Sequence, residues 1–356
     1  MTPRAGDLAV APRSGPLVGL RVVEFTGIGP GPHCAMLLAD LGAEVVRIDR
    51  KGGNGWPNPV VDRGRTTRIL DLRTDEGREA ALALCDDTDV VIEGFRPGVM
   101  ERLGLGPDIM LGRNPRLVYG RMTGWGQDGP RATTAGHDIN YIALTGALAA
   151  IGAPGQRSVP PLNLVGDFGG GSLFLAFGIM AALWERERSG LGQVVDAAIV
   201  DGVSSLMATF AGLIPSERIT LDKSRNPLAG TAPYYRTYLC ADGREVSVGA
   251  IEPQFWAEML RLLGIETDDP AAMRDEARWG ETTLLLERTF ASRTRDEWSA
   301  VFAGSDACVT PVLTFAEAMS DQHLLDRKTY LGADGSRTPA PAPRFSRTPG
   351  GIDDTV

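Results

Sequence analysis

Residues 20–49 read LRVVEFTGIGPGPHCAMLLADLGAEVVRID, and this stretch decides the fold. Leu20–Phe25 has the composition of a short strand, and a turn rich in glycine and proline follows it. His33–Leu41 then shows the apolar spacing of a helix, and Glu44–Asp49 is a second strand. A strand, a helix and a strand within about 30 residues are typical of a βαβ unit in a parallel sheet.

The same alternation continues towards residue 200. Strands are predicted at Thr67–Leu72, Asp89–Glu93 and Leu117–Met122, and Thr74 is predicted to cap a helix over Asp75–Leu84. We expect an α/β fold with a large Rossmann-like domain, a mostly parallel sheet and a smaller α+β domain. The predicted boundaries are a disordered N-terminal arm at 1–14, the large domain at 15–200, a linker at 201–233, the small domain at 234–312, and a return segment with a tail packing on the large domain at 313–356.

The small domain is predicted to open with a hairpin. Its strands are Tyr235–Tyr238 and Val246–Ala250, with Asp242-Gly243 at the turn. Helices are expected at about 253–263, 281–291 and 295–302.

Composition excludes several classes of protein. The chain has 356 residues, 43% of them hydrophobic, and its net charge of −9 argues against a nucleic-acid binder. The four cysteines are isolated, which indicates a reducing cytoplasm and neither a zinc site nor a disulfide framework. Residues 171–187 are strongly apolar but fall short of the roughly 20 residues that span a bilayer, so we expect a buried core helix and no membrane contact.

The turn after the first strand resembles a dinucleotide fingerprint but does not satisfy it. Gly27 and Gly29 are present, whereas the third glycine position is Pro32. Proline removes a backbone donor that a phosphate-binding loop would use. NAD and FAD are therefore not expected as cofactors.

His137 and Asp167 are the leading candidates for chemistry. His137 is one of three histidines, and Asp167 precedes Phe168 and three glycines. Both residues are predicted where loops enter helices, so either could be a helix-start residue with a structural role. Each glycine costs a helix about 1 kcal/mol, which favours a second interpretation. In that interpretation a ligand approaches the backbone closely, and helix N–H groups face developing negative charge.

Two further sets of residues leave alternatives open. A basic cluster is either a solvated surface or a phosphate site. It comprises Arg47, Arg50, Lys51, Arg63, Arg65, Arg68 and Arg73, and Arg96 and Arg102 would extend it. Glu252 precedes a proline, which is typical of a surface or capping residue, but it could also orient an imidazole.

Several motifs together resemble the family III CoA-transferases and, more narrowly, the bacterial α-methylacyl-CoA racemases. They are PLVGLRVVEF, PGP-x5-LADLGAEVVRID, EGFRPGVMERLGLG, RMTGWGQDGP, GHDINY and LVGDFGGGS, and the resemblance runs from about Gly15 to Arg347. It implies an interlocked homodimer that inverts C2 of 2-methylacyl-CoA thioesters without a metal or other cofactor. Arg73 departs from the lysine that is frequent in relatives, and the charge is kept.

The resemblance also assigns residues to roles. His137 and Asp167 are implied as the two acid/base groups, and Glu252 as the partner of the histidine, contributed by the other subunit. The implied CoA contacts are Arg50, Leu70, Asp71, Leu72, Arg73, Gly94, Phe95, Arg96, Arg102, Gly136, Asp138, Ile139, Asn140 and Tyr141.

Inversion of a carbon centre needs one proton-transfer group on each face, and His137 with Asp167 meets that need. The alternative within the fold is an acyl-CoA:carboxylate CoA-transferase with Asp167 as nucleophile, which has no need of the histidine. A non-catalytic CoA- or nucleotide-binding regulator is the alternative of another class, and the presence of His137, Asp167 and Glu252 argues against it.

Overall fold

The computed structural model describes residues 13–333 and 336–352, which form two compact units. The first unit runs to Thr145, resumes over Pro161–Leu206 and ends with the segment from Asp326. Most of the predicted N-terminal arm lies outside the described residues. Arg13 is described, and its guanidinium donates to the carbonyl of Ala43 at 2.5 Å.

A six-stranded parallel sheet forms the centre of the first unit, which confirms the α/β prediction. Its order is β3-β2-β1-β4-β5-β6, the arrangement of a Rossmann-like fold with a switch point between β1 and β4. The central strands are buried on both faces and are therefore almost continuously apolar. The strands are β1 Arg21–Phe25, β2 Glu44–Asp49, β3 Arg65–Ile69, β4 Val90–Glu93, β5 Val118–Thr123 and β6 Val194–Ala198.

Helices cover this sheet in the predicted order. They are α1 Pro30–Asp40, α2 Asp75–Cys85, α3 Val99–Arg102, α4 Pro107–Arg113, α5 Asp138–Leu144, α6 Leu173–Ser189 and α7 Ile199–Leu206. The predicted cap is confirmed, because the Thr74 hydroxyl accepts from the Gly77 N–H. Helix α1 begins at Pro30, three residues before the predicted His33. A proline fits the first helical position, because the N–H that it lacks would have no partner within the helix there. Strand β3 ends at Ile69, the residue that pairs with the last residue of β2.

A nine-residue π-helical segment, Leu164–Ser172, precedes α6, so the apolar helical stretch is longer than predicted. The prediction of a buried core helix is wrong for one face. Leu173, Phe177 and Trp184 are spaced along that face and are 52%, 73% and 69% exposed.

The expectation that this stretch is too short to span a bilayer also needs correction. Within the described part of the chain, Leu164–Ser189 is a helix of 26 residues that is long and apolar enough to cross a membrane. The bent pair Ile199–Leu206 and Ala208–Ser216 meets that test when it is taken as one span. Core helices of soluble proteins also meet this criterion of length and composition.

The second unit comprises Gly146–Pro160 and Met207–Leu325. The hairpin is confirmed, because β7 pairs with β8 antiparallel around Gly243, which has φ 75°. Helix α7 lies at the start of the predicted linker and belongs to the first unit, and α8 follows it directly. The elements are α8 Ala208–Leu213, β7 Arg236–Leu239, β8 Glu245–Val248, α9 Pro253–Leu263, α10 Trp279–Phe290, α11 Arg295–Phe302, β9 Val309–Pro311, α12 Phe315–Ala318 and α13 Gln322–Asp326.

The C-terminal segment returns to the first unit as β10 Tyr330–Leu331 and β11 Thr338–Pro339, which pair antiparallel. Arg63 donates to the Pro339 carbonyl at 2.9 Å, and the Gly351 N–H donates to the carbonyl of Asp40 at 3.0 Å. These bonds attach the tail to the end of α1.

Candidate active site

A cavity of about 1430 Å³ opens at the carboxyl ends of the parallel strands of the first unit. Its walls include the turns after β1 and β4, the two strands at the switch point, where α/β sheets usually bind ligands. His137 and Asp167 both line this cavity. The tertiary structure therefore brings together the two residues that the sequence separates by 30 positions.

Asp167 lies inside the π-helical segment, not at the helix N-terminus that we predicted. Asn163 donates to its Oδ2 at 3.3 Å, and its own N–H donates to Oδ1 of Asp138 at 2.7 Å. Burial raises the pKa of the Asp167 carboxyl against the opposing hydrogen bond from Asn163. The charge of Asp138 raises this pKa further, and that of His137 lowers it. The carboxyl therefore takes up a proton more readily than an exposed aspartate does, which suits a group that must both accept and release one.

The glycines after Asp167 allow helices to pack closely. A Cβ on Gly170 would lie 2.8 Å from the Val203 N atom, and a Cβ on Gly202 would lie 1.9 Å from the Gly170 carbonyl oxygen. The π-helical segment and α7 are therefore in backbone contact. A π-helix also pairs its N–H groups with carbonyls five residues earlier. The prediction that these glycines offer free donors to a ligand is wrong.

His137 is the N-cap of α5, and its side chain is exposed towards the cavity. The Asn140 side chain accepts from the His137 N–H at 3.0 Å, which fixes the backbone at this position. Asp138, the next residue, is 9% exposed and binds the Asp167 backbone. One short sequence thus positions both candidate acid/base residues.

Sequence reasoning missed Gly29, Gly124 and Trp125, which shape the cavity. A Cβ on Gly29 would lie 3.2 Å from the Asp167 carboxylate, so glycine here leaves space for that group. A Cβ on Gly124 would overlap the Tyr141 ring, and that ring packs edge-on against Trp125 at 4.7 Å. Glycine-rich turns after β1 and β5 were visible in the sequence, but the side chains that they face were not.

The predicted CoA contacts divide into two groups. Most of them line the cavity: Arg50, Leu70, Asp71, Leu72, Arg73, Gly94, Phe95, Arg96, Gly136 and Tyr141. Four are not among its lining residues. Arg102 is exposed, and its guanidinium lies close to Gly98. Ile139 is 43% exposed. The side chains of Asp138 and Asn140 bind backbone N–H groups, as described above.

Three arginines of the basic cluster are used in buried ion pairs. Arg47 pairs with Glu24 at 3.3 Å, Arg65 with the same carboxylate at 2.5 Å, and Arg63 with Asp40 at 2.5 Å. Glu24 lies directly opposite Arg47 in the register of β1 and β2. The cluster is therefore part structural scaffold and part cavity wall, whereas the sequence presented it as one set.

Glu252 belongs to the second unit, where it is the exposed N-cap of α9. Its pairing with the histidine of another subunit stays a prediction. Within residues 13–333 and 336–352, no group of three or more His, Cys, Asp or Glu side chains is arranged to hold a metal ion.

Comparison with known proteins agrees with these features. The sequence pattern of CoA-transferase family III matches residues 17–355. An α-methylacyl-CoA racemase of Mus musculus is 46% identical over 335 residues, covering 94% of this chain and 87% of that protein. The one of Homo sapiens is 44% identical over 337 residues, with coverage of 94% and 87%. The crystal structure of a CAIB/BAIF family protein from Brucella suis superposes with a TM-score of 0.81 at 27% identity, covering 96% of this chain and 95% of that chain. The chain belongs to CoA-transferase family III.

Proposed function

We propose that this protein is an isomerase that racemises 2-methyl-branched acyl-CoA thioesters at C2. The observation that carries the proposal is the placement of His137 and Asp167 on one cavity, with the pKa of the aspartate raised by burial. The similarity to the mouse and human racemases supports it, because it extends over 94% of the chain.

The proposed reaction is a 1,1-proton transfer. One of the two groups removes the proton from C2, and the electron pair of the broken C–H bond moves into the thioester to form an enolate. The other group, which is protonated, delivers its proton to the opposite face of C2, and the thioester is restored. One proton leaves C2 and a different proton replaces it, so the substrate keeps its composition and no electrons are exchanged; the reaction as written requires neither a metal nor another cofactor.

The enolate oxygen needs hydrogen-bond donors, which the π-helical segment does not supply. We assign this role to the first-turn amides of α5, Asp138 and Ile139, which do not themselves line the cavity but directly follow His137, which does. First-turn N–H groups of a helix have no intrahelical carbonyl to bind, and they lie at its positive end.

Cations on the cavity wall suit the phosphates of CoA. Arg50, Arg73 and Arg96 follow β2, β3 and β4, and all three line the cavity. Arg73 also pairs with Asp71 at 2.9 Å, but its side chain is 87% exposed and free to reach a ligand. The bound thioester would extend from these arginines to His137 and Asp167.

We further propose that the enzyme is an interlocked homodimer. The exposed apolar face of α6, defined by Leu173, Phe177 and Trp184, is costly in water and suits burial against a second copy. Glu252 of the partner subunit would then orient the His137 imidazole. Cys34, Cys85, Cys240 and Cys308 are free thiols, which supports a reducing cytoplasm as the place of action.

Deuterium exchange tests the proposed reaction. A pure epimer of 2-methylacyl-CoA incubated in D₂O should gain deuterium at C2 without any carboxylate acceptor. CoA transfer that depends on an acceptor and occurs without exchange would refute racemisation and indicate Asp167 as a nucleophile.

Two variants test the assignment of the two bases. His137→Ala should abolish exchange from one epimer far more than from the other, and Asp167→Ala should show the opposite preference, because each group serves one face. An equal loss from both epimers in either variant would contradict the assignment.

A further inference from the structure

Arg121 on β5 binds two carboxylates from different elements. Its Nε donates to Oε1 of Glu93 at 3.0 Å, and its Nη1 lies 2.8 Å from Oε1 of Glu101. The side chains of Arg121 and Glu93 are only 8% and 1% exposed. Glu93 is the last residue of β4, and Glu101 is on α3.

The two carboxylates stand on either side of the turn at 94–98. Oε2 of Glu93 accepts from the Phe95 N–H at 2.8 Å, so the same side chain that holds Arg121 also fixes the turn. The turn ends at Gly98, whose φ of 78° allows α3 to start immediately. Arg121 therefore connects the beginning of the turn, through Glu93, with the helix that follows it, through Glu101.

The turn presents Phe95 and Arg96 to the cavity. Phe95 packs on the same buried core as Leu70 and Leu72, which also line the cavity. Arg96 is the cation that this turn contributes. Its position depends on the backbone of the turn, and that backbone is held by Glu93.

Stability alone does not account for a buried ion pair at this place. Ion pairs as buried as Arg121 with Glu93 often add little to stability, because both charges lose their hydration. Burial raises the pKa of Glu93, which is the sign of that cost. The planar guanidinium of Arg121 has several N–H donors in a rigid arrangement, so it fixes the carboxylates of Glu93 and Glu101 relative to each other.

We propose that Arg121 is a positioning residue for substrate binding: through Glu93 and Glu101 it sets the turn at 94–98 that receives the phosphate-bearing half of the acyl-CoA. The inference rests on the proposed acyl-CoA substrate. Arg121 itself is not among the residues that line the cavity.

The test compares Arg121→Met with Arg113→Met. Arg113 is a matched control, because it also holds two carboxylates of the first unit, Asp86 at 2.7 Å and Glu79 at 3.4 Å, and does not line the cavity. Calorimetry gives the dissociation constant of free CoA, and steady-state kinetics give KM and kcat for an acyl-CoA and for the acyl-pantetheine thioester, which lacks the nucleotide.

For Arg121→Met we expect CoA binding weaker by about tenfold or more, KM for acyl-CoA raised to match, and kcat nearly unchanged. KM for the acyl-pantetheine should stay as in the unmodified protein, and Arg113→Met should change none of these values. Unchanged CoA binding, or an equal rise of KM for both thioesters, would overturn the inference.

Glu101→Gln decides the matter if Arg121→Met does not fold. Glu101 is 44% exposed, so its amide is tolerated sterically, and it weakens the charge-assisted bond to Arg121. We expect a smaller change in the same direction, about threefold in the dissociation constant of CoA, and no change would overturn the inference. If the unmodified protein binds no CoA, the proposed function fails instead, so the two failures are distinguishable.

Discussion

Gly202→Ala should displace Asp167, although residue 202 is on another helix. The added Cβ would lie 1.9 Å from the Gly170 carbonyl oxygen and 2.6 Å from its carbonyl carbon. Both atoms belong to the backbone of the π-helical segment, so no side-chain rotation can relieve the overlap. Ordinary contact begins at 3.4 Å, and the segment must therefore move by about 1.5 Å relative to α7.

Two effects of this change oppose each other. Alanine in place of glycine inside a helix contributes about 1 kcal/mol of stability, whereas overpacking of a fitted contact costs about 1–3 kcal/mol. The steric cost should prevail, because the contact is made by backbone on both sides. A displacement of about 1 Å in a catalytic group can reduce the rate by about 100-fold, so we expect a loss of at least that size in kcat/KM.

The assay is deuterium exchange at C2, with thermal unfolding followed on the same preparations. Gly112→Ala on α4 is the matched control, since its added Cβ would have no heavy atom within 4 Å and should bring only the gain in helix propensity. We expect Gly112→Ala to unfold at a higher temperature with normal exchange. Normal exchange by Gly202→Ala would refute the inferred contact between α7 and the segment that carries Asp167.

Three other predictions follow from the site. The charge of Asp138 raises the pKa of Asp167, so Asp138→Asn should lower that pKa and move the acidic limb of the profile of kcat/KM against pH to lower pH. An acidic limb that does not move would contradict this coupling. Asp167→Asn should raise the free energy of unfolding at pH 7 by about 1 kcal/mol. Because the pKa of Asp167 is higher in the folded than in the unfolded protein, its ionised carboxylate destabilises the fold at pH values above the unfolded pKa of about 3.9. The gain in stability from Asp167→Asn should therefore vanish when unfolding is measured below that pH. A gain that does not depend on pH would contradict the reasoning. Arg96→Ala should raise KM for acyl-CoA far more than it lowers kcat, and a loss confined to kcat would exclude a binding role.

The local pattern was sufficient for most elements of the fold. Strand β2 was predicted with its observed bounds, and β1, β4 and β5 within one residue, because a buried strand in a parallel sheet is an apolar run between turns. The exposed strand β3 was predicted two to three residues too late. Its sequence, RTTRI, has no apolar run, and its end is decided by the length of the neighbouring β2.

The sequence named His137 and Asp167 as candidates but could not supply their surroundings. The role of the glycines after Asp167 depends on α7, about 30 residues further along the chain, whose backbone lies against them. The π-helical form of that segment was not predicted, since nothing in the sequence distinguishes it from the start of an α-helix.

By itself the sequence determined the fold class through its periodicity and indicated the family through motifs that resemble those of known proteins, and it named residues able to transfer a proton, because all of these are properties of residue type and order along the chain. The tertiary structure decided which arginines of the basic cluster are used in ion pairs inside the fold and which face the cavity. Arg47 lies opposite Glu24 in the sheet and is consumed in an ion pair, whereas Arg50, beyond the end of β2, is on the cavity wall. That difference depends on strand register, which is a relation between segments distant in the sequence.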